Sequence, residues 1–424
     1  MGQDDEIVTK LMQISIVPYF NDMPDPREGP NAVHKLIDII VIAVCATIAG
    51  CEACTQMAEY GKRKEPWLRQ SLGLELPDGI PSHDTFSRTL ALLDAKKFQE
   101  CFMRWAADLC QAINNKITDN GSENITDGKN TDDSKSTTNS KVIAIDGKTV
   151  RRSFDNAKGR SAIHLVSAWC SQNHISLGQL AVDGKSNEIT AIPELLELLN
   201  VAGSIVTIDA AGCQRAIATK IRKQKADYVL ALKKNQPTLY EDVVACFAQL
   251  RVAEQLQLSP SDAASCSAVA ACDVYEKSEK GHGREERRTA YVMPVPENFR
   301  HREHWKDIQS ICMIIGRRVE KGREESQTRY FISSLPPKAK PLAEAVRWHW
   351  GIENSLHWVL DMSFREDNCR IRKGFGTENM ATLRRLAISL LKRESTKQSI
   401  ATKRLMAAWD DDYLFRVLLA AGGG

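Results

Sequence analysis

Apolar positions along this chain change rhythm three times. Through residues 8–113 they fall at helical spacing, as in Phe98, Phe102, Trp105, Ala106 and Leu109. Ala32 to Ala49 is apolar almost throughout and predicts a core helix. Ser82-His83-Asp84-Thr85 predicts a helix start ahead of Phe86, Leu90 and Leu93. These patterns predict an all-helical domain over 1–113, read either as a plain helical bundle or, more sharply, as a DNA-binding domain. Residues 114–140 hold almost nothing apolar and predict a polar linker.

From 141 the rhythm becomes that of an α/β fold. Strands are expected at 142–146, 162–170 and 175–183, then a helix at 189–200. A strand at 204–209, a helix at 213–224, a strand at 227–232 and a helix at 237–250 follow. Three strands, a helix, a strand, a helix and a strand is the order of the RNase H-like fold. There the fourth strand lies parallel to the first and beside it, reached by a right-handed crossover. The expected core is therefore a mixed sheet with flanking helices over 141–250. Residues 251–338 read as a β-rich insertion with strands around Asp273, Thr289, Ile308 and Thr328. Helices return after Pro336-Pro337, first at 339–361, and complete the chain over 339–424.

Length and composition fit this division. At 424 residues the chain is too long for one ordinary core. It is 43% hydrophobic and 26% charged, the balance of a globular protein. The 57 basic and 54 acidic side chains leave a formal charge of only +3, which excludes a histone-like blanket. Nucleic-acid binding then depends on clustering. The most apolar stretch, Ile39 to Gly50, is too short to span a bilayer, and no secretory leader opens the chain. A cytoplasmic, nucleoid-associated protein without a membrane partner is expected. The 12 cysteines lie scattered through apolar segments and read as small buried hydrophobes. Cys51 and Cys54 have half a zinc-site spacing, but no second close pair follows.

Two buried-type strands end in aspartate: Val142-Ile-Ala-Ile-Asp146 and Ser204-Ile-Val-Thr-Ile-Asp209. Carboxylates at such strand ends sit where open α/β sheets bind ligands, and a pair suits Mg²⁺. The bland alternatives are an Asp-Gly turn for Asp146 and a helix N-cap for Asp209. In-line phosphodiester chemistry uses two metal ions about 3.5–4 Å apart and a third carboxylate. His349, Glu353, His357 and Asp361 recur every four residues on one helix face. Glu353 could supply the third acid, with Asp361, Glu366 and Asp367 as alternatives. A zinc reading fails on distance, since His349 and His357 are about 12 Å apart along the axis. A partly solvated polar face is the third reading. Lys148, Arg151 and Arg152 follow Asp146, and Lys233 and Lys234 follow the fifth strand. With Arg284, Arg347 and the stacking candidate Trp350, they are the expected DNA contacts; solvated loops and core packing are the alternatives.

Assembled, the chain resembles the H-repeat-associated insertion-sequence transposases of the DDE class. The resemblance rests on Ala144-Ile-Asp-Gly-Lys-Thr-Val-Arg-Arg-Ser153, Lys185-Ser-Asn-Glu-Ile189, Asp209-Ala-Ala-Gly-Cys-Gln214, Tyr228-Val-Leu-Ala-Leu-Lys-Lys-Asn-Gln236, His282-Gly-Arg284 and Trp350-Gly-Ile-Glu-Asn-Ser-Leu-His-Trp358. It implies an Asp146, Asp209 and Glu353 triad that binds Mg²⁺, with Mn²⁺ as the alternative. It further implies cutting of element ends, joining of a 3′-hydroxyl to double-stranded target DNA, and a homodimer on paired ends. Related transposases carry a Tyr, Arg, Glu, Lys pattern. Here His349 stands four before Glu353 and Leu360 seven after, so those phosphate contacts do not carry over.

Overall fold

The computed structural model describes residues 16–29, 32–121, 141–154, 159, 161–182, 187–248, 272–281, 284–320 and 322–420, without the side chains of 114–121. Most of the expected linker, the start of the expected insertion at 251–271, and the motif residues Lys185, Ser186, His282 and Gly283 lie outside the described residues.

The chain forms two compact units that do not follow its linear order. The first comprises Met1–Lys129, Gly147–Asn187 and Ile352–Gly424; the second comprises Asn130–Asp146 and Glu188–Gly351.

In the first unit the helices are α1 (Val17–Phe20), α2 (Leu36–Ile48), α3 (Cys54–Gln70), α4 (His83–Leu92) and α5 (Ala95–Gly121). Strands β2 (His164–Cys170) and β3 (Ile175–Val182) pair antiparallel. After them come α10 (Trp358–Met362), α11 (Gly376–Arg393), α12 (Ile400–Trp409) and α13 (Asp411–Leu419). Helices α2 and α11 are buried on nearly every side. A helix without a solvent stripe must be covered all round. Helix α11 packs on α2, α4, α5 and β3, so N-terminal and C-terminal helices share one core. The described helices within 16–113 thus belong to the same unit as the C-terminal helices. The described part of helix α5 runs eight residues past the expected boundary, to Gly121.

The second unit is built on β4 (Ile205–Ile208), β5 (Asp227–Leu232), β6 (Asp273–Gly281), β7 (Arg284–Pro294), β8 (Ser310–Glu320) and β9 (Arg323–Ser333). Its helices are α6 (Glu188–Leu198), α7 (Arg215–Lys223), α8 (Pro237–Cys246) and α9 (Ala339–Ile352). Strand β1 (Val142–Thr149) changes unit between Asp146 and Gly147. The strand order of the nine-stranded sheet is β3-β2-β1-β4-β5-β9-β8-β7-β6. Strands β1, β4 and β5 run parallel, and β9 pairs antiparallel with β5. The strands expected as an insertion therefore extend the sheet, with Tyr330–Ser333 bonding along the edge of β5. Val142, Ile205, Val229, Val292, Phe331 and Leu342 share one core cluster under α9.

The helix expected over 339–361 is interrupted. Glu353–His357 forms a π-helical turn in which the Trp358 N–H reaches the Glu353 carbonyl. The wider turn shifts register, so four-residue spacing no longer keeps one face through Asp361.

Candidate active site

The parallel register pairs Ile145 with Ile208, so Asp146 and Asp209 follow on adjacent strands of the second unit. Strand β1 runs three residues beyond Asp146, which excludes the simple Asp-Gly turn. The Asp209 side chain organises a loop rather than capping a helix. Its Oδ1 accepts the Ala211 and Gly212 N–H groups at 3.0 and 3.4 Å, whereas the N-cap of α7 is Gln214. The loop packs tightly: a Cβ on Gly212 would lie 2.3 Å from Ile208 Cγ2.

Asn235 and Gln236 brace the same loop from the end of β5. The Asn235 amide donates to the Ala210 carbonyl. The Gln236 amide donates to the Cys213 carbonyl at 3.1 Å. Neighbouring Lys233 and Lys234 are exposed.

Thr207 lies two residues before Asp209 and so faces the same side of β4. Its Oγ1 is 3.0 Å from His349 Nδ1 on α9. Burial holds the His349 imidazole below its ordinary value, outweighing Asp146 and Asp209, which favour the cation. Burial also raises the Asp209 carboxyl; the charges of Asp146 and Glu188 raise it further, against the Gly212 N–H and His349. Two half-buried carboxylates that repel one another, with hard oxygen donors, fit a divalent cation. Among the described residues, no group of three or more His, Cys, Asp or Glu side chains is arranged to hold a metal.

Sequence reasoning gave Thr207 and Glu188 no role, set Asn235 and Gln236 only along the basic edge after the fifth strand, and weighed His349 as a zinc ligand, as part of a polar face and as a departure from the family pattern. Glu188, Asn235 and Gln236 stood within the motifs that carry the resemblance, but only the fold shows which groups they meet.

Glu353 opens the π-helical turn and is exposed. The alternative acids are committed elsewhere in the first unit. Asp361, Glu366 and Asp367 surround Lys148 Nζ at 2.8, 3.5 and 3.0 Å. Glu366 is fully buried and also meets Arg385 at 3.0 Å. Burial alone would raise its carboxyl, but Arg385, Lys148 and Arg384 together pull it down to about 2.

Lys148, expected on open surface, is only 8% exposed. Its charge is spent on this cluster: burial lowers its ammonium, yet Glu366 and Asp361 hold it above the ordinary value. Arg151 is 82% exposed and pairs with Asp367, and Arg152 is exposed. In the second unit, exposed Arg284 pairs with Glu286, and exposed Arg347 lies 3.4 Å from Glu279. The Trp350 ring is covered by Arg329, whose guanidinium carbon is 4.4 Å from the ring centroid. That face is therefore already stacked.

Residues 137–390 match the family described as transposase DDE domain, and 17–106 match its companion, described as DDE_Tnp_1-associated. The class is that of the DDE transposases. YhhI, an H repeat-associated protein of Escherichia coli strain K12, is 36% identical over 97% of this chain and 98% of its own. YncI of Escherichia coli O157:H7 is 36% identical over 95% and 94%. The chain belongs to the H repeat-associated family of transposases. A piggyBac transposase synaptic complex with hairpin DNA aligns over 97% of this chain and 79% of that one, at 12% identity and a TM-score of 0.36, too low to carry an argument. No helix among the described residues is long and apolar enough to cross a membrane.

Proposed function

We propose that this chain cuts the ends of an insertion sequence and joins the freed 3′-hydroxyl to target DNA, on an RNase H-like core with Asp146, Asp209 and Glu353 as its acids. The carrying observation is the Ile145–Ile208 register, which sets two aspartates side by side on parallel strands. Glu353 is supported by the family pattern, by its exposure, and by the engagement of Asp361, Glu366 and Asp367 with Lys148.

Asp146 would hold two Mg²⁺ ions, or Mn²⁺, with Asp209 on one and Glu353 on the other. When bound, such a pair supplies activation of the attacking oxygen and neutralisation of the leaving one. The chain's own residues fix the geometry. The Ala211 and Gly212 N–H groups hold the Asp209 carboxylate, and Asn235 and Gln236 hold the loop. His349, whose imidazole burial holds below its ordinary value, lies beside Asp146 and Asp209. Water attacks the phosphodiester at each element end and displaces the element's 3′-hydroxyl; that hydroxyl then attacks a target phosphodiester and displaces the target strand's own 3′-hydroxyl, with no covalent link to the protein. Double-stranded DNA is the partner, and a homodimer joins the two ends.

The test is Mg²⁺-dependent cleavage and strand joining on DNA carrying the ends that flank the coding sequence. Asp146→Ala, Asp209→Ala and Glu353→Gln should each abolish both steps, while Asp361→Asn should not abolish them. Cleavage without joining would make the protein a nuclease, and normal cleavage by Glu353→Gln would remove Glu353 from the triad.

A further inference from the structure

Acids and cations between Phe364 and Gly376 point in opposite directions. Glu366 is fully buried, and Asp367 turns toward Lys148 at 3.0 Å and Arg151 at 3.2 Å. Arg370 and Lys373 are exposed. Arg372 donates from Nε to the Arg152 carbonyl at 2.9 Å, and its guanidinium carbon lies 4.8 Å from the Phe154 ring centroid. That contact joins the 370–373 segment to the turn at Arg151–Ser153. Arg384 and Arg385 neutralise Glu366 and Lys148 meets Asp367 from beneath, so Arg152, Arg370, Arg372 and Lys373, with Arg151 partly paired to Asp367, form a basic ridge within the first unit.

The ridge is held rigidly. Gly374 takes a φ of +49°, and a Cβ there would lie 2.1 Å from the Ala91 carbonyl oxygen at the end of α4. The next N–H, of Phe375, donates to that same oxygen at 3.0 Å. Thr377 Oγ1 donates to the Ile371 carbonyl at 2.7 Å. Asn379 Nδ2 donates to the Leu90 and Leu93 carbonyls, each at 2.8 Å. A fixed backbone presents these cations together, and guanidinium groups match phosphate oxygens in geometry.

We propose that this ridge binds the phosphate backbone of duplex DNA, apart from the acids assigned to cutting. The choice of DNA as the polyanion rests on the transposase reading.

The experiment is fluorescence anisotropy of the full chain with a short labelled duplex in EDTA, titrated with salt. Omitting metal reads binding without cleavage. R370E/K373E should weaken binding more than ~10-fold and reduce the slope of log affinity against log salt by roughly two. R370Q/K373Q should shift both in the same direction by less, with an unchanged thermal midpoint in each variant. The charge-matched control K96E/K97E, on the exposed start of α5, should leave affinity near wild type. If the wild type binds and R370E/K373E binds equally well with the same slope, the ridge is wrong and the transposase reading stands. If the control loses as much as the ridge variant, the effect is only general charge and the ridge is overturned. If the wild type binds no duplex, both readings fall.

Discussion

His349 Nδ1 and Thr207 Oγ1 meet at 3.0 Å, joining α9 to the strand face that carries Asp209. Groups packed behind metal-binding residues commonly matter 10–100-fold for metal affinity or rate, and the His349 ring lies within electrostatic reach of Asp146 and Asp209. His349→Ala is therefore expected to slow Mg²⁺-dependent cleavage by roughly 10–100-fold, with duplex affinity in EDTA unchanged. Thr207→Val should slow it by less in the same assay. Wild-type cleavage by His349→Ala would reduce the histidine to core packing.

Lys148 should prove a stability residue rather than a DNA contact. Its ammonium meets Asp361, Glu366 and Asp367 with only 8% exposure. Removing one member of a buried ionic group leaves its partners uncompensated, at a cost of about 3–5 kcal/mol. Lys148→Met should lower stability by an amount near that range in urea unfolding. Arg151→Ala, at a largely exposed site, should change stability by less than about 0.5 kcal/mol.

These residues also mark what the sequence could and could not disclose. The adjacency of Asp146 and Asp209 was legible because unbroken β-branched runs identify buried parallel strands, and the strand order then selects their neighbours. The burial of Lys148 was not, because its partner Asp367 lies 219 positions away. Lys148-Thr-Val-Arg-Arg reads locally as a basic loop. The π-helical turn at Glu353–His357 has no signature in residue type, so a four-residue spacing that holds in an ideal helix suggested one face through Asp361. The edge pairing of β9 with β5 was hidden for a similar reason. Strand patterns reveal which face is buried, not which neighbour supplies the hydrogen bonds.

Asp38 predicts a pH effect of definite sign. It is buried near the start of α2 and accepts the Leu76 N–H at 3.3 Å, but burial pushes its carboxyl up to about 6 from an ordinary 3.8. The folded state thus binds this proton more tightly than the unfolded state. Its contribution is fully present below the unfolded value and is lost as pH rises through the folded one. Asp38→Asn keeps an acceptor and removes the charge. It should stabilise the protein at neutral pH by about 1–3 kcal/mol, with the gain disappearing below about pH 4. Unfolding curves across that range provide the measurement, and a gain that persists unchanged at acid pH would reject the assignment.

Gly212 links loop packing to chemistry. Its N–H reaches Asp209 Oδ1, and the loop folds so closely onto β4 that a new Cβ would sit 2.3 Å from Ile208 Cγ2 and 3.0 Å from Ile192 Cδ1. The Ile208 branch is stiff and fixed by its strand, so the loop must move instead. Overpacking of this kind typically costs about 1–3 kcal/mol. The displacement falls on the backbone that holds the Asp209 carboxylate, where small misplacements can reduce rate by about 10²-fold. Gly212→Ala should therefore fold with a modestly lower thermal midpoint, bind duplex normally in EDTA, and cleave at least ~10-fold more slowly with Mg²⁺. Full cleavage with the same loss of stability would show that the loop can shift without disturbing Asp209.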